Sequence, residues 1–346
     1  MPECRSNVRC RTKWVSDPVL ANNNPFFNNS GFETHPRKSH PEHCNLRPVN
    51  AAGRCASESA NWSKRNRYEG GGRAEAKGST SAPSPPSNIH NQTQSPKHFV
   101  LIHGACHGAW SWYKVATLLK NSGHNVTALD LGASGINPIQ VQQLPSLSEY
   151  VEPLTKLMVS LPPNEKVILV AHSFGGAVIS IFMERFPRKI AAAVYVTGVM
   201  SGPTLNFSTI NQEIRKRLDY LDSQFRYDNG TNNPATSFLF GPKVMATSLY
   251  QLSPPQDLTL ALSLVRFIPR YNYDVIKLTE EKYRAVPRVF IVSGQDHAIV
   301  LDVQNYMIKN NPPNEVKMIN GSDHMVMLSK PVELFFHLQD IAEKYS

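Results

Sequence analysis

Cysteine is scarce in this chain and unevenly placed. Of five in 346 residues, Cys4, Cys10, Cys44 and Cys55 precede residue 97, and Cys106 alone follows it. Neither a disulfide framework nor a paired-cysteine zinc pattern can be built from that spacing, which suits a reducing compartment. Long apolar runs are missing as well. No stretch is long and uncharged enough to span a bilayer, so a membrane partner is not expected. The part after residue 96 lacks a basic helix or an aromatic–basic platform, which argues against nucleic acid as a partner. Met1 is followed by Pro2, and this excludes N-myristoylation.

Acidic residues are outnumbered, 27 against 36 Lys and Arg, but the excess is local. Residues 1–96 hold 13 basic and 7 acidic side chains, the remainder 23 and 20. The net charge of +9 therefore says little about a substrate. Residues 1–96 also show no hydrophobic periodicity, and carry runs such as Asn22-Asn-Asn-Pro and Ser79-Thr-Ser-Ala-Pro-Ser-Pro-Pro. Such a segment cannot bury enough apolar surface to offset its ordering entropy. It is expected to be a disordered extension. Arg5, Arg9, Arg11 and Lys13 at its start fit a transit peptide and a chloroplast destination. Its length, its acids and its asparagines leave a cytoplasmic extension or a wrongly assigned start as the alternatives.

From residue 97 to 346 short apolar runs alternate with helical patterns, which predicts a mostly parallel sheet flanked by helices. Strands are expected at Phe99–His103, Val126–Asp130, Val167–Ala171, Ala191–Val196, Val289–Ser293 and Val316–Ile319. Helices are expected at Trp112–Asn121, Leu147–Leu161, Gly175–Phe186, Leu301–Asn310 and Pro331–Lys344, with Ser148 as an N-cap and Pro331 in a first turn. From about 200 to 285 the alternation stops and aromatics gather: Phe207, Tyr220, Phe225, Phe238, Phe240, Tyr250 and Phe267. That region reads as a cap over a pocket, although some of those rings must simply pack helices.

Ala171-His-Ser-Phe-Gly175 joins a buried-strand pattern to a helical one. A serine at that sharp turn has its hydroxyl pushed out above the sheet, the nucleophile-elbow setting of an α/β-hydrolase. Ala171 stands where the usual motif has glycine. A serine needs a base, and the base an orienting acid. Two downstream strand-loop junctions supply them: one carries Asp296 and His297, the other Asp323 and His324. His324 is preferred as base and Asp296 as acid, with His297 and Asp323 as competitors. Asp323 adjoins His324, and neighbours in sequence seldom align for an imidazole–carboxylate bond; its bland reading is a turn residue. For an oxyanion, the backbone N–H of Phe174 and of Ala105, in the loop Gly104–Ala109, are the expected donors. His103 and His107 stand i, i+4 but lie at a strand end and lack a third ligand, so a metal site is not expected. Cys106 reads as a packing residue. The mechanism requires no cofactor.

Three stretches carry a specific resemblance: Phe99-Val-Leu-Ile-His-Gly-Ala-Cys-His-Gly-Ala-Trp110, Gly123-His-Asn-Val-Thr-Ala-Leu-Asp130, and Gly321-Ser-Asp-His-Met-Val-Met-Leu328. Together with Phe240-Gly-Pro-Lys243 and Leu249-Tyr-Gln-Leu252, they resemble the plant methylesterases, relatives of the salicylate-binding methyl salicylate esterase and of the hydroxynitrile lyases. The resemblance covers about residues 97–346. It implies an α/β-hydrolase core with a helical cap, Ser173, Asp296 and His324 as the triad, and Ala105 and Phe174 as oxyanion donors. It implies a small hydrophobic methyl ester as substrate, such as a jasmonate, indole-acetate or salicylate ester. The lyases of this family carry Lys after the catalytic histidine and Thr in the first loop; here those positions are Met325 and Gly104. That disfavours cyanohydrin cleavage. A non-catalytic hormone-binding protein on the same fold is the other alternative, and a homodimer is compatible with the sequence.

Overall fold

A computed structural model of the protein describes residues 95–345. The expected disordered extension, its transit-peptide reading and four of the five cysteines lie outside the described residues.

Six strands form one parallel sheet: β1 His98–Ile102, β2 Asn125–Leu129, β3 Val167–His172, β4 Ile190–Val196, and, after a long excursion that contains β5 Gln224–Arg226, β6 Ser237–Leu239 and β7 Ile268–Pro269, β8 Arg288–Ser293 and β9 Glu315–Ile319. The order is β2-β1-β3-β4-β8-β9. Every residue of β3 and β8 is buried, which explains the apolar runs Val167–Ala171 and Val289–Val292 within them, because helices cover both faces of such a sheet. The edge strand β9 alternates instead, with Val316 and Met318 exposed. The chain leaves β1 toward β2 and returns to place β3 on the other side of β1. Crevices at such reversals, beyond the carboxyl ends of the strands, are where open α/β sheets hold ligands. The loops after β1, β3, β4, β8 and β9 all emerge along this one edge.

All six expected strands are present, each within one residue of its expected bounds. Helices Leu301–Asn310 and Pro331–Lys344 match, with Pro331 in the first turn. The expected helix Leu147–Leu161 is two pieces, Leu147–Tyr150 and Glu152–Ser160. Pro153 has no N–H to continue the first piece and sits instead in the first turn of the second. The N-cap is Ser146, whose Oγ accepts from the Glu149 amide, and not Ser148.

Between β4 and β8 lie the helices Phe207–Arg215 and Pro255–Leu264, as expected of a helical cap. Among them runs a small antiparallel sheet, β5-β6-β7, for which the sequence carries no visible signal. Arg266 ties this region to the core. Its guanidinium donates to the carbonyls of Gly135, Asn137 and Ile139, and its amide to Cys106 O.

Phe290, in the centre of β8, is fully buried and Phe336 is 57% exposed. Phe290→Ala is expected to lower unfolding free energy by about 3–5 kcal/mol, and Phe336→Ala by less than about 0.5 kcal/mol, as read by chemical denaturation.

Candidate active site

Ser173 occupies the turn between β3 and the helix Gly175–Arg185 with φ 51°. This left-handed conformation is rare for a residue with a side chain and costs about 1 kcal/mol or more. Backbone bonds on both sides hold it: the Ser173 amide donates to Val196 O, and Ser173 O accepts from the amides of Gly176 and Val199. The following helix can approach only because two residues lack a Cβ. At Gly175 a Cβ would lie 2.6 Å from His103 O, and at Gly176 2.6 Å from Val199 O. Ala171 is different. It lies inside β3, fully buried and in register with Ile102 and Tyr195, so its methyl is accommodated.

His324 brings the distant pieces together. Its Nε2 is 2.9 Å from Ser173 Oγ, and its Nδ1 is 2.7 Å from Asp296 Oδ2. Since the carboxylate can only accept, Nδ1 carries a proton and Nε2 is left to accept from the serine hydroxyl. Asp296 is held on both oxygens. Oδ1 accepts from the Ala298 and Ile299 amides, and Oδ2 also accepts from Thr197 Oγ1 at 2.5 Å. The two competitors are elsewhere. Asp323 accepts from the amides of Met325 and Leu252 and from Ser253 Oγ, the turn role weighed for it. His297 is exposed, with Nδ1 near Thr247 O.

Three further histidines surround this group, all buried. His172 Nε2 donates to His324 O, fixing the loop that carries the imidazole, while its Nδ1 has no partner. His107 donates from Nδ1 to Ala105 O and accepts from Tyr250 Oη at Nε2. His103 donates from Nδ1 to Gly104 O and accepts from the Leu131 amide. These bonds occupy both members of the i, i+4 pair. Burial pushes His107 down to about 4, His172 well below the usual imidazole range, and His103 down as well. Burial also pushes the Cys106 thiol up to about 12, as suits a packing residue.

The sequence carries little that marks Thr197 and His172. Their only signals are a polar residue at the end of an apolar strand and a histidine next to the elbow serine, and neither has a period.

The amides of Ala105 and Phe174 donate to no carbonyl of the surrounding turns. Both residues border the cavity above Ser173, and Phe174 leads into a helix N-terminus, where dipole and unpaired N–H groups favour negative charge. The cavity encloses about 310 Å³, near the low end for small-molecule sites. Ser173, His324, Ala105 and Phe174 line part of it. Phe207, Tyr220, Phe225, Phe238, Phe240 and Tyr273 supply an aromatic wall. Two of the aromatics expected in the cap are not part of that wall: Tyr250 serves His107, and Phe267 lies under the Arg226 guanidinium.

Residues 99–338 match the model of the alpha/beta hydrolase family. Methyl jasmonate esterase 1 of Vitis vinifera is 53% identical over 256 residues, 72% of this chain and 98% of its own length. Salicylic acid-binding protein 2 of Nicotiana tabacum is 44% identical over the same shares. Among solved structures, tomato methylketone synthase I complexed with 2-tridecanone is 49% identical with a TM-score of 0.70, covering 73% of this chain and 100% of that one. The chain belongs to the alpha/beta hydrolase family and, within it, to the plant methylesterases. It is a hydrolase of the esterase class.

Thr197→Val removes one of the donors to Asp296 without changing volume. A hydrogen bond to a charged group is worth about 1.5–3 kcal/mol, so kcat on an ester substrate should fall roughly tenfold or more, with KM nearly unchanged. A fall in KM affinity alone would remove Thr197 from the positioning of the acid. The buried histidines also set an acid limit on stability. Below about 6.5 the unfolded chain takes protons that the folded one refuses, so stability is lost as pH falls from there toward 4. Denaturation series across that window should show a shallower slope for His107→Gln.

Proposed function

We propose that the protein hydrolyses methyl esters of small, largely apolar carboxylic acids, the class that contains the jasmonate, indole-acetate and salicylate esters. The carrying observation is the chain of contacts at the cavity floor: Ser173 Oγ to His324 Nε2 at 2.9 Å, and His324 Nδ1 to Asp296 Oδ2 at 2.7 Å. In this reading His324 takes the hydroxyl proton as Ser173 Oγ attacks the ester carbonyl. The charge that develops on the carbonyl oxygen faces the amides of Ala105 and Phe174, worth several kcal/mol in a water-poor site. His324 then gives its proton to the departing methanol. Water enters and loses a proton to the same Nε2 as its oxygen attacks the acyl carbonyl; that proton then passes to Ser173 Oγ as the acyl–serine bond breaks, so the free acid leaves and Ser173 is restored. Asp296 keeps the tautomer and orientation of the imidazole throughout. The aromatic wall supports an apolar acyl group, and the name of the Vitis vinifera relative, methyl jasmonate esterase, supports the hormone-ester class.

Two observations speak against cyanohydrin cleavage. Met325, fully buried, supplies no positive charge beside His324. A Cβ at Gly104 would lie 2.7 Å from His172 Nδ1 and 3.0 Å from Ser173 Cβ, so a threonine hydroxyl has no room there while His172 stays.

Ser173→Ala should lower kcat by a factor on the order of 10⁴ or more with an unchanged circular dichroism spectrum. Methanol release from a panel of methyl esters is the readout. Normal turnover by the variant would sink the mechanism. Tight ester binding by the wild type with no methanol would favour the hormone-binding alternative.

A further inference from the structure

The lining of the cavity also includes two guanidiniums, Arg215 and Arg270. Arg215 ends the helix Phe207–Arg215, and Arg270 directly follows β7. Arg215 is exposed and Arg270 half-buried, and both lie near enough to Tyr220 for their positive charges to offset part of the upward push of burial on its hydroxyl. An apolar site that serves only neutral acyl groups gains nothing from two cations brought together. Like charges repel, and partial burial of Arg270 adds a desolvation cost.

No carboxylate among the described residues neutralises them. Those nearest along the chain are committed elsewhere. Glu213 pairs with Lys216 and Arg217. Asp219 accepts from the Leu221 amide, and Asp222 from the amides of Lys243 and Val244. Asp228 pairs with Thr236, and Asp274 accepts from the amides of Phe207 and Ser208. Arg270 has one long bond, to Ala235 O at 3.4 Å, which leaves most of its five donors free. Burial first, and then the Arg215 charge, push the Arg270 guanidinium down, against smaller opposing effects of Tyr220 and Tyr227.

We infer that Arg215 and Arg270 bind an anionic group on the far end of the acyl chain, so that the preferred substrates are methyl esters whose acid half carries a second, ionised carboxylate or an equivalent oxyanion. Planar guanidiniums suit such a group because they can grip two oxygens at once. The ester carbonyl would face the amides of Ala105 and Phe174 while the distal oxyanion rests between the two arginines, with the aromatic wall covering the methylenes between. This inference rests on the ester-hydrolase reading of Ser173 and narrows its substrate.

The test uses monomethyl esters of linear dicarboxylic acids with four to ten carbons. Each is paired with the methyl ester of the monocarboxylic acid of equal length. For at least one length, kcat/KM should favour the charged ester by roughly tenfold or more. The preference should shrink with added salt, because the mouth of the site is solvated. In Arg215→Ala/Arg270→Ala the ratio of charged to neutral kcat/KM should collapse toward one, and Arg270→Lys, which keeps the charge and loses the fork, should retain part of it. A wild-type ratio near one at every length, or an unaltered ratio in the double variant, would overturn the inference while leaving ester hydrolysis intact. If no ester releases methanol, the reading of Ser173 fails instead. Calorimetry of the charged and neutral esters with Ser173→Ala then decides the anion site separately: equal affinities refute it, and tighter binding of the charged ester supports it.

Discussion

One carboxylate organises the site. Asp296 leaves the end of β8, and its two oxygens receive the Ala298 and Ile299 amides, Thr197 from the end of β4, and the His324 imidazole from beyond β9. Three neighbouring strands are thereby tied at their carboxyl ends by a single side chain. The parallel sheet makes this meeting available, since it brings residues more than a hundred positions apart to one edge. The elbow at Ser173 supplies the remaining partner from β3, at the cost of a left-handed backbone. Fold and site are thus one construction. The sheet sets the positions of the ends, and hydrogen bonds between loops turn those positions into a geometry of about 3 Å.

The loop that bears His324 is gripped from several directions. His172 donates to its carbonyl, Leu249 O accepts from the Met325 amide, and Asp323 reaches back to Leu252 and Ser253. The latter contacts come from the segment that follows the π-helical turn Met245–Leu249, within the excursion between β4 and β8. That excursion therefore does more than roof the cavity, because it also anchors the loop of the imidazole. His107 and Tyr250 form a second link between the first loop and the same segment.

Much of this was legible before any coordinates. Buried parallel strands are short apolar runs, and β3 and β8 advertise themselves by composition. The elbow is recognisable because a small-residue turn between a strand and a helix has few other uses. Asp296 and Asp323 are less easily separated, since both follow strands and both adjoin a histidine. The structure separates them by which oxygen faces the imidazole, a property that spacing does not encode. The antiparallel sheet β5-β6-β7 left no trace because its strands have three, three and two residues, one of them Pro269, too short for any period. The helix break at Val151 is signalled by Pro153, against an apolar pattern that runs on through it. Thr197 and His172 are single polar residues at strand ends, whose roles exist only in three dimensions.

The close fit between Gly104 and the His172 ring bears on how sequences of this family can drift. A bulkier residue in the first loop is blocked as long as the imidazole stays, yet removing the imidazole deprives the His324 carbonyl of its donor. Neither replacement is neutral on its own background. The two positions are therefore coupled: room for a side chain at residue 104 depends on what stands at residue 172.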